Sequence, residues 1–301
     1  MGYRSIVISS AVRISVKNEQ LVIEGEASGS VPIEDIRTVL IESRAATVTT
    51  YALSALSEAG VCVYLCDEKH LPSAVLQPLG RYCRQKKRLF TQLEQSKPHV
   101  KRLWQSVVVA KIQNQAICLE LCGVDAACHQ KVARLAATVQ SGDVANVEGQ
   151  AAALYFSYLF GKGFSRGEET PVNAALNYGY AIVRGYIARS LADHGFEPCL
   201  GIHHHSELNN YNLADDLIEP FRPLVDLFVF RHVPEETLSP ADKKELCNIL
   251  NYELLSGGEH HSAAYAIERL IYSLEQCFDA PEETETLLLP EIEDLRRHEY
   301  E

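Results

Sequence analysis

No stretch of this chain approaches the roughly 18 consecutive apolar residues that a membrane helix needs. The N-terminus, MGYRSIVISS, has no basic head leading into a long apolar stretch and a cleavage site, so no signal peptide is expected either. No CxxC occurs, although there are nine cysteines. An odd number without zinc-type spacing, with Cys62, Cys66, Cys118 and Cys122 inside apolar runs, points to reduced core thiols in a cytoplasmic protein rather than to a disulfide framework. Gly-x-Ser-x-Gly, GxxxxGK[ST] and GxGxxG are missing too, which removes the usual starting points for acyl transfer and nucleotide binding. Neither His-Glu-x-x-His nor Glu-x-x-His occurs, and the second absence speaks against a ferritin-like di-iron bundle.

What is present is a globular composition. The 301 residues are 47% hydrophobic and 23% charged, enough for a large core and about two domains. The net charge of −12 argues against a nucleic-acid partner until its distribution is considered. Residues 281–301 hold eight acids against two bases, an acidic tail expected to be solvated or disordered. Residues 81–111 hold nine bases (Arg81, Arg84, Lys86, Lys87, Arg88, Lys97, Lys101, Arg102 and Lys111) against Glu94 alone. Such a stripe binds phosphates whatever the whole-chain sum, or else is a solvated helix face.

The first part of the chain reads as strands. SIVIS, VRISV, QLVIEG, RTVLIES and VCVYLC are short, β-branched and apolar, and one helix, TYALSALSEAG, interrupts them behind Thr49 or Thr50. From residue 85 apolar residues recur at helical spacing, through HVKRLWQSVVVAKIQNQAICLELCG, EGQAAALYFSYLFG, AALNYGYAIVRGYIARSLADHG and LADDLIEPFRPLVDLFVFRH. The expected organisation is a β-rich domain over 1–80, a linker at 81–85, an α-helical domain over 86–280 and the acidic tail. GGEHHSA reads as a loop and helix start.

Three groups of residues carry candidate chemistry. Glu148 opens an otherwise apolar helix, where it is either a metal or polar ligand or a first-turn glutamate favoured by the helix dipole. Asp216 and Glu219 stand three apart in LADDLIEPFRP, so one helix face would carry both; two such carboxylates repel unless a cation lies between them. Asp215 is the alternative to Asp216. His203, His204 and His205 form a run before NNYN, and spacing alone does not choose among them. Mixed imidazole and carboxylate donors suit Mg²⁺ or Mn²⁺.

Four segments resemble one family. VTTYALSALSEAGVCVYLCDEKHLPSAVLQP, NVEGQAAALYFSYLFGKGFSR, PVNAALNYGYAIV and GIHHHSELNNYNLADDLIEPFRPLVD follow, in order, the pattern of the CRISPR-associated adaptation integrases, the family Cas one, and of its type II members in particular. The resemblance spans nearly the whole chain. It implies α+β architecture: an N-terminal β-sandwich domain with one helix, followed by a larger all-α catalytic domain. It places the family glutamate on Glu148, the histidine on His204 and the carboxylates on Asp216 and Glu219, with Glu219 expected to be the closer ligand. Arg222, in the Glu-Pro-Phe-Arg-Pro motif, is expected to orient these carboxylates or reach a phosphate, and Arg81, Arg84, Lys86, Lys87 and Arg88 to hold DNA. Many members carry His-Ala-Ala-Arg where this chain has Gln150, Ala151, Ala152 and Ala153, which removes one arginine contact without touching the ligands.

The implied activity is metal-dependent insertion of short DNA fragments into a CRISPR array. It implies Mg²⁺ or Mn²⁺ as cofactor, a homodimer, and the small second adaptation protein, Cas two, as partner. A nuclease that cleaves without integrating, and a non-catalytic scaffold, are the competing readings.

Overall fold

The computed structural model describes residues 2–25, 28–68, 70–76, 84–232, 238–281 and 286–299. The N-terminal part contains strands β1 (Arg4–Ile8), β2 (Arg13–Lys17), β3 (Gln20–Glu24), β4 (Gly29–Pro32), β5 (Ile36–Ile41) and β6 (Thr47–Val48), helix α1 (Thr50–Glu58), then β7 (Cys62–Cys66) and β8 (Pro72–Val75). They build two four-stranded sheets, ordered β1-β5-β7-β8 and β4-β3-β2-β6. In the first, β5 pairs in parallel with β1 and β7, and α1 makes the crossover between β5 and β7. Thr49 caps α1 by accepting from the Ala52 amide at 3.2 Å.

The alternation along β5 and β7 explains how the halves join. Val39, Ile41 and Val63 point toward Ile14 and Leu21 of the other sheet and Leu56 of α1, forming one core. Leu40, Cys62 and Tyr64 point the other way, into the core of the helices. Both faces of β5 are therefore covered, and all six of its residues are buried. The Tyr64 hydroxyl donates to the Ile182 carbonyl at 2.6 Å. Its ring lies where a Cβ on residue 185 would fall, 2.3 Å from Cε1, so only glycine fits there.

The helical part runs α2 (Gln85–Leu93), α3 (Lys97–Leu121), α4 (Ala126–Ala136), α5 (Val147–Leu159), α6 (Pro171–Asp193), α7 (Asn212–Leu217), α8 (Arg222–Arg231), α9 (Pro240–Cys247) and α10 (Ala263–Asp279). It is not all-α. After α9 come β9 (Tyr252–Ser256) and β10 (Glu259–Ser262), and β11 (Pro290–Arg297) follows α10; together they form the sheet β10-β9-β11. GGEHHSA is thus the turn and second strand of a hairpin, with Ser262 capping α10. The acidic tail is also corrected over 290–297: Pro290 and Ile292 are buried against β9, and the charged residues of that strand alternate outward. Residues 282–285, 300 and 301 of that tail, and residues 81–83 of the expected linker, lie outside the described residues.

The segment LADDLIEPFRPLVDLFVFRH is a further correction. It is not one helix but α7, a 3-10 turn over Glu219–Phe221 and α8. Pro220 and Pro223 lack the amide that a continuous helix needs, and they break it there. Helix α4 has no counterpart in the apolar periodicity singled out above; it is short, its mean hydropathy is close to neutral, and Asp125 caps it.

Candidate metal centre

Helix α3 is the axis on which the site is built. Seven residues, about two turns, separate Trp104 from Lys111. Trp104 is buried under the 202–204 loop, its ring stacked on His203 at 4.1 Å between centroids and 3° between planes. Lys111 is buried as well, and its ammonium forms ion pairs with both Glu148 and Glu219. One turn further on, Asn114 donates to the carbonyls of Pro220 (2.7 Å) and Pro290 (2.9 Å). It also accepts from the Ile292 amide (3.2 Å). Asn114 therefore fixes the 3-10 turn carrying Glu219, and the strand beside it, to α3.

Glu148 sits at the start of α5, whose end is held by two caps. Asn146 accepts from the Gly149 amide at 3.2 Å, and Asp143 accepts from Val147 at 2.9 Å and from Glu148 at 3.0 Å. The Glu148 side chain is thereby set on Lys111 with about a quarter of its surface open, 28%. Two turns on, Tyr155 is fully buried and donates to Asp226 at 2.8 Å.

Asp216 and Glu219 pair with different side chains. The break after α7 turns them to different partners. Asp216, with no exposed surface, accepts from the amides of Ile202 (2.7 Å), His203 (3.0 Å) and His204 (3.1 Å), and from His204 Nδ1 (2.7 Å). The loop must come so close that a Cβ on residue 201 would lie 2.3 Å from the His204 carbonyl oxygen, which accounts for Gly201. With Nδ1 tied to a carboxylate, the Nε2 lone pair is the one left for a ligand. The bond to Asp216 raises the His204 pKa, burial opposes it, and the charges of Asp216 and Glu219 add to the rise. Burial pulls His203 the other way, below the ordinary histidine value.

Glu219 Oε1 accepts from Arg222 Nε at 2.9 Å. Burial pushes its carboxyl up, but the positive charges of Arg222 and Lys111 outweigh that and hold it at about 2. The Arg222 guanidinium lies 4.5 Å from the centroid of the Tyr180 ring. The Tyr180 hydroxyl donates to Asp226, which burial holds at about 6 despite the tyrosines' hydrogen bonds. Asp215 is accounted for elsewhere, in a pair with Arg184 and Asn209.

Burial and pairing subdivide the basic stripe. Arg84, Lys86, Lys87, Lys97, Lys101 and Arg102 are exposed. Arg88, expected among the DNA-binding residues, is instead buried in a clamp with Glu275 and Asp279, so it has no surface to offer a phosphate. Lys111 belongs to the site itself. Arg81 lies outside the described residues.

Among the described residues, no three His, Cys, Asp or Glu side chains converge closely enough to hold a metal. The donor chemistry nevertheless fits a hard divalent cation: two carboxylates converge on one positive charge, and the charge of one of them, Glu219, reaches a carboxylate-held imidazole. Glu219 Oε2 is buried and faces the Lys111 ammonium. The point on which the donors converge is filled by the Lys111 ammonium.

A family model described as "CRISPR associated protein Cas1" matches residues 6–256. The chain belongs to the Cas1 family. A CRISPR-associated endonuclease Cas1 from Neisseria meningitidis serogroup C is 43% identical over 308 aligned positions covering 100% of both chains. The Cas1 fold is shared with a casposase solved bound to integration product, with a TM-score of 0.79 at 20% identity over 99% of this chain and 96% of that one. It is shared also with part of a Cas6-RT-Cas1–Cas2 complex, with a TM-score of 0.71 at 18% identity over 96% of this chain and 36% of that one. Among the described residues of this Cas1 chain, no helix is long and apolar enough to cross a membrane.

Lys111 and Asn114 are the site residues that sequence reasoning missed. Along the sequence Lys111 is one more base of the stripe; its signal is its place between Ala110 and Ile112 in an apolar run, where a charge needs a partner.

Proposed function

We propose that this Cas1 chain is a divalent-metal-dependent DNA endonuclease and integrase of CRISPR adaptation. One observation carries the reading: Glu148 and Glu219, from distant parts of the chain, converge on a single cation, and the Glu219 charge reaches an imidazole that Asp216 orients. Glu148, Glu219 and His204 Nε2 would hold Mg²⁺ or Mn²⁺, with Asp216 as the residue that positions His204 rather than as a ligand. The metal, when bound, supplies Lewis-acid polarisation of a phosphoryl oxygen.

The reaction is transesterification. A fragment's 3′-hydroxyl loses its proton to solvent as it attacks the phosphodiester at a repeat end, the new O–P bond forms as the old one breaks, and the leaving 3′-oxygen takes up a proton from solvent. The chain's own residues act by position. Arg222, braced on Tyr180, holds Glu219 in place, and the Asp216-bound loop holds His204. Exposed Arg84, Lys86 and Lys87 hold the backbone without reading sequence. The partners are DNA, a second copy of the chain and Cas2, and the setting is the cytoplasm. The Neisseria relative's name supports the endonuclease half of the reading, and the casposase supports strand integration on this fold.

The test is integration into a supercoiled array plasmid with and without Cas2. Glu148→Ala and His204→Ala should each abolish strand transfer while leaving the circular dichroism spectrum intact. Normal integration by His204→Ala, with loss in His203→Ala or His205→Ala, would move the site to another histidine.

A further inference from the structure

Lys111 is a positive charge in the place where the candidate site would hold its own. It lies 6% exposed in the middle of α3, between the buried Ala110 and Ile112. Packing alone would favour an apolar side chain there, because taking an ammonium out of water costs several kcal/mol unless good partners receive it. The partners are Glu148 on α5 and Glu219 on the 3-10 turn. Without Lys111 these carboxylates would face each other with Arg222 alone to offset them. Arg222 engages Oε1 of Glu219, and Oε2 is the oxygen turned to Lys111.

We propose that Lys111 is the resident counter-ion of the metal site, holding Glu148 and Glu219 together in the metal-free protein, and that a divalent cation binds by displacing it. The inference rests on reading Glu148, Glu219 and His204 as the metal site. Displacement suits lysine: its charge is a single point at the end of a flexible stem, so the head can swing away while the methylenes stay packed. Metal affinity is then a competition that Lys111 sets, and the preformed pair of carboxylates needs little rearrangement when the ion arrives.

The experiment is a Mn²⁺ titration of the full chain, followed by calorimetry and by the fluorescence of Trp104, the chain's one tryptophan, which lies under His203 and edge-on to His204. Wild type, Lys111→Met and Glu148→Ala are compared. Lys111→Met should bind Mn²⁺ about tenfold or more tightly than wild type, the factor that ~1.4 kcal/mol of relieved competition gives. Its melting temperature should also rise further on adding Mn²⁺. Equal or weaker binding by Lys111→Met, with binding lost in Glu148→Ala, overturns the counter-ion role and leaves the site reading standing. No Mn²⁺ binding to either wild type or Lys111→Met overturns both. Should Lys111→Met fail to fold, reductive dimethylation of wild type read by mass spectrometry decides: Mn²⁺ should speed labelling of Lys111, and an unchanged rate overturns the proposal.

Discussion

Asp216→Asn separates the role of anchor from that of ligand. In the folded chain Oδ2 accepts from the Ile202 and His203 amides, and Oδ1 accepts from the His204 amide and His204 Nδ1. An asparagine keeps one acceptor oxygen and turns an NH₂ toward the other two donors. If the NH₂ took the Oδ2 place it would face two backbone amides that have nowhere to turn, losing two charge-assisted bonds at roughly 1.5–3 kcal/mol each. The less costly arrangement puts the NH₂ at the Oδ1 place. There one amide loses its acceptor, at about 1–3 kcal/mol, and the imidazole adapts by accepting at Nδ1. That adaptation moves the ring proton to Nε2, the nitrogen that would take a metal. The variant should therefore be about 2 kcal/mol less stable in urea unfolding, show the Nε2–H tautomer in ¹H–¹⁵N correlation spectra, and bind Mn²⁺ weakly. A loss below ~0.5 kcal/mol with an unchanged tautomer would refute the anchor argument, because four bonds into a fully buried carboxylate cannot be rearranged for nothing.

Other perturbations probe the surroundings. Gly185→Ala sets a methyl 2.3 Å from the Tyr64 ring and should cost roughly 1–3 kcal/mol in denaturant melts; Gly185→Ala combined with Tyr64→Leu should recover part of it. Asp226 has its folded pKa raised from 3.8 to about 6, so its contribution to stability is fully present below pH 3.8 and is lost as pH rises through about 6. The difference is about 3 kcal/mol, and Asp226→Asn, which keeps hydrogen-bonding groups for Tyr155 and Tyr180, should remove that fall from a stability–pH profile measured against wild type. Replacing Arg84, Lys86 and Lys87 together should flatten the slope of log K against log salt for duplex DNA by up to about 2.7, and a slope equal to wild type would exclude the patch. Arg88→Ala should leave DNA binding unchanged and instead lower stability by roughly 1–3 kcal/mol, because Glu275 and Asp279 lose their counter-charge.

The parts of the fold that were legible were those in which one local signal dominates. The five β-branched runs, the Thr49-capped helix and the long apolar periodicities of α3, α5 and α6 are all found as elements. What could not be read depended on partners far away in sequence. Glu291, Glu293 and Asp294 look like a solvated tail until Pro290 and Ile292, between and beside them, are seen to pair with β9. Arg88 and Lys111 look like the exposed bases around them until Asp279 and Glu148 arrive in space. Charge counted along a chain cannot distinguish a phosphate-binding arginine from one already neutralised inside the protein. The burial of an apolar neighbour, as with Ile112, is the one local hint.

Proline-broken geometry also explains why two carboxylates three residues apart take different work. In an unbroken helix Asp216 and Glu219 would lie side by side, and the same cation would have to satisfy both. In the folded chain Glu219, in the 3-10 turn, faces Lys111 on α3, and Asp216 faces the 202–204 loop. Asp216 accepts from three amides and an imidazole, and so fixes the orientation of His204. Glu219 keeps one oxygen on Arg222 and turns the other to the point where Lys111 and Glu148 meet. The motif Glu-Pro-Phe-Arg-Pro is thus a device of backbone as much as of charge. Its first proline stands in the 3-10 turn, and its arginine holds Glu219.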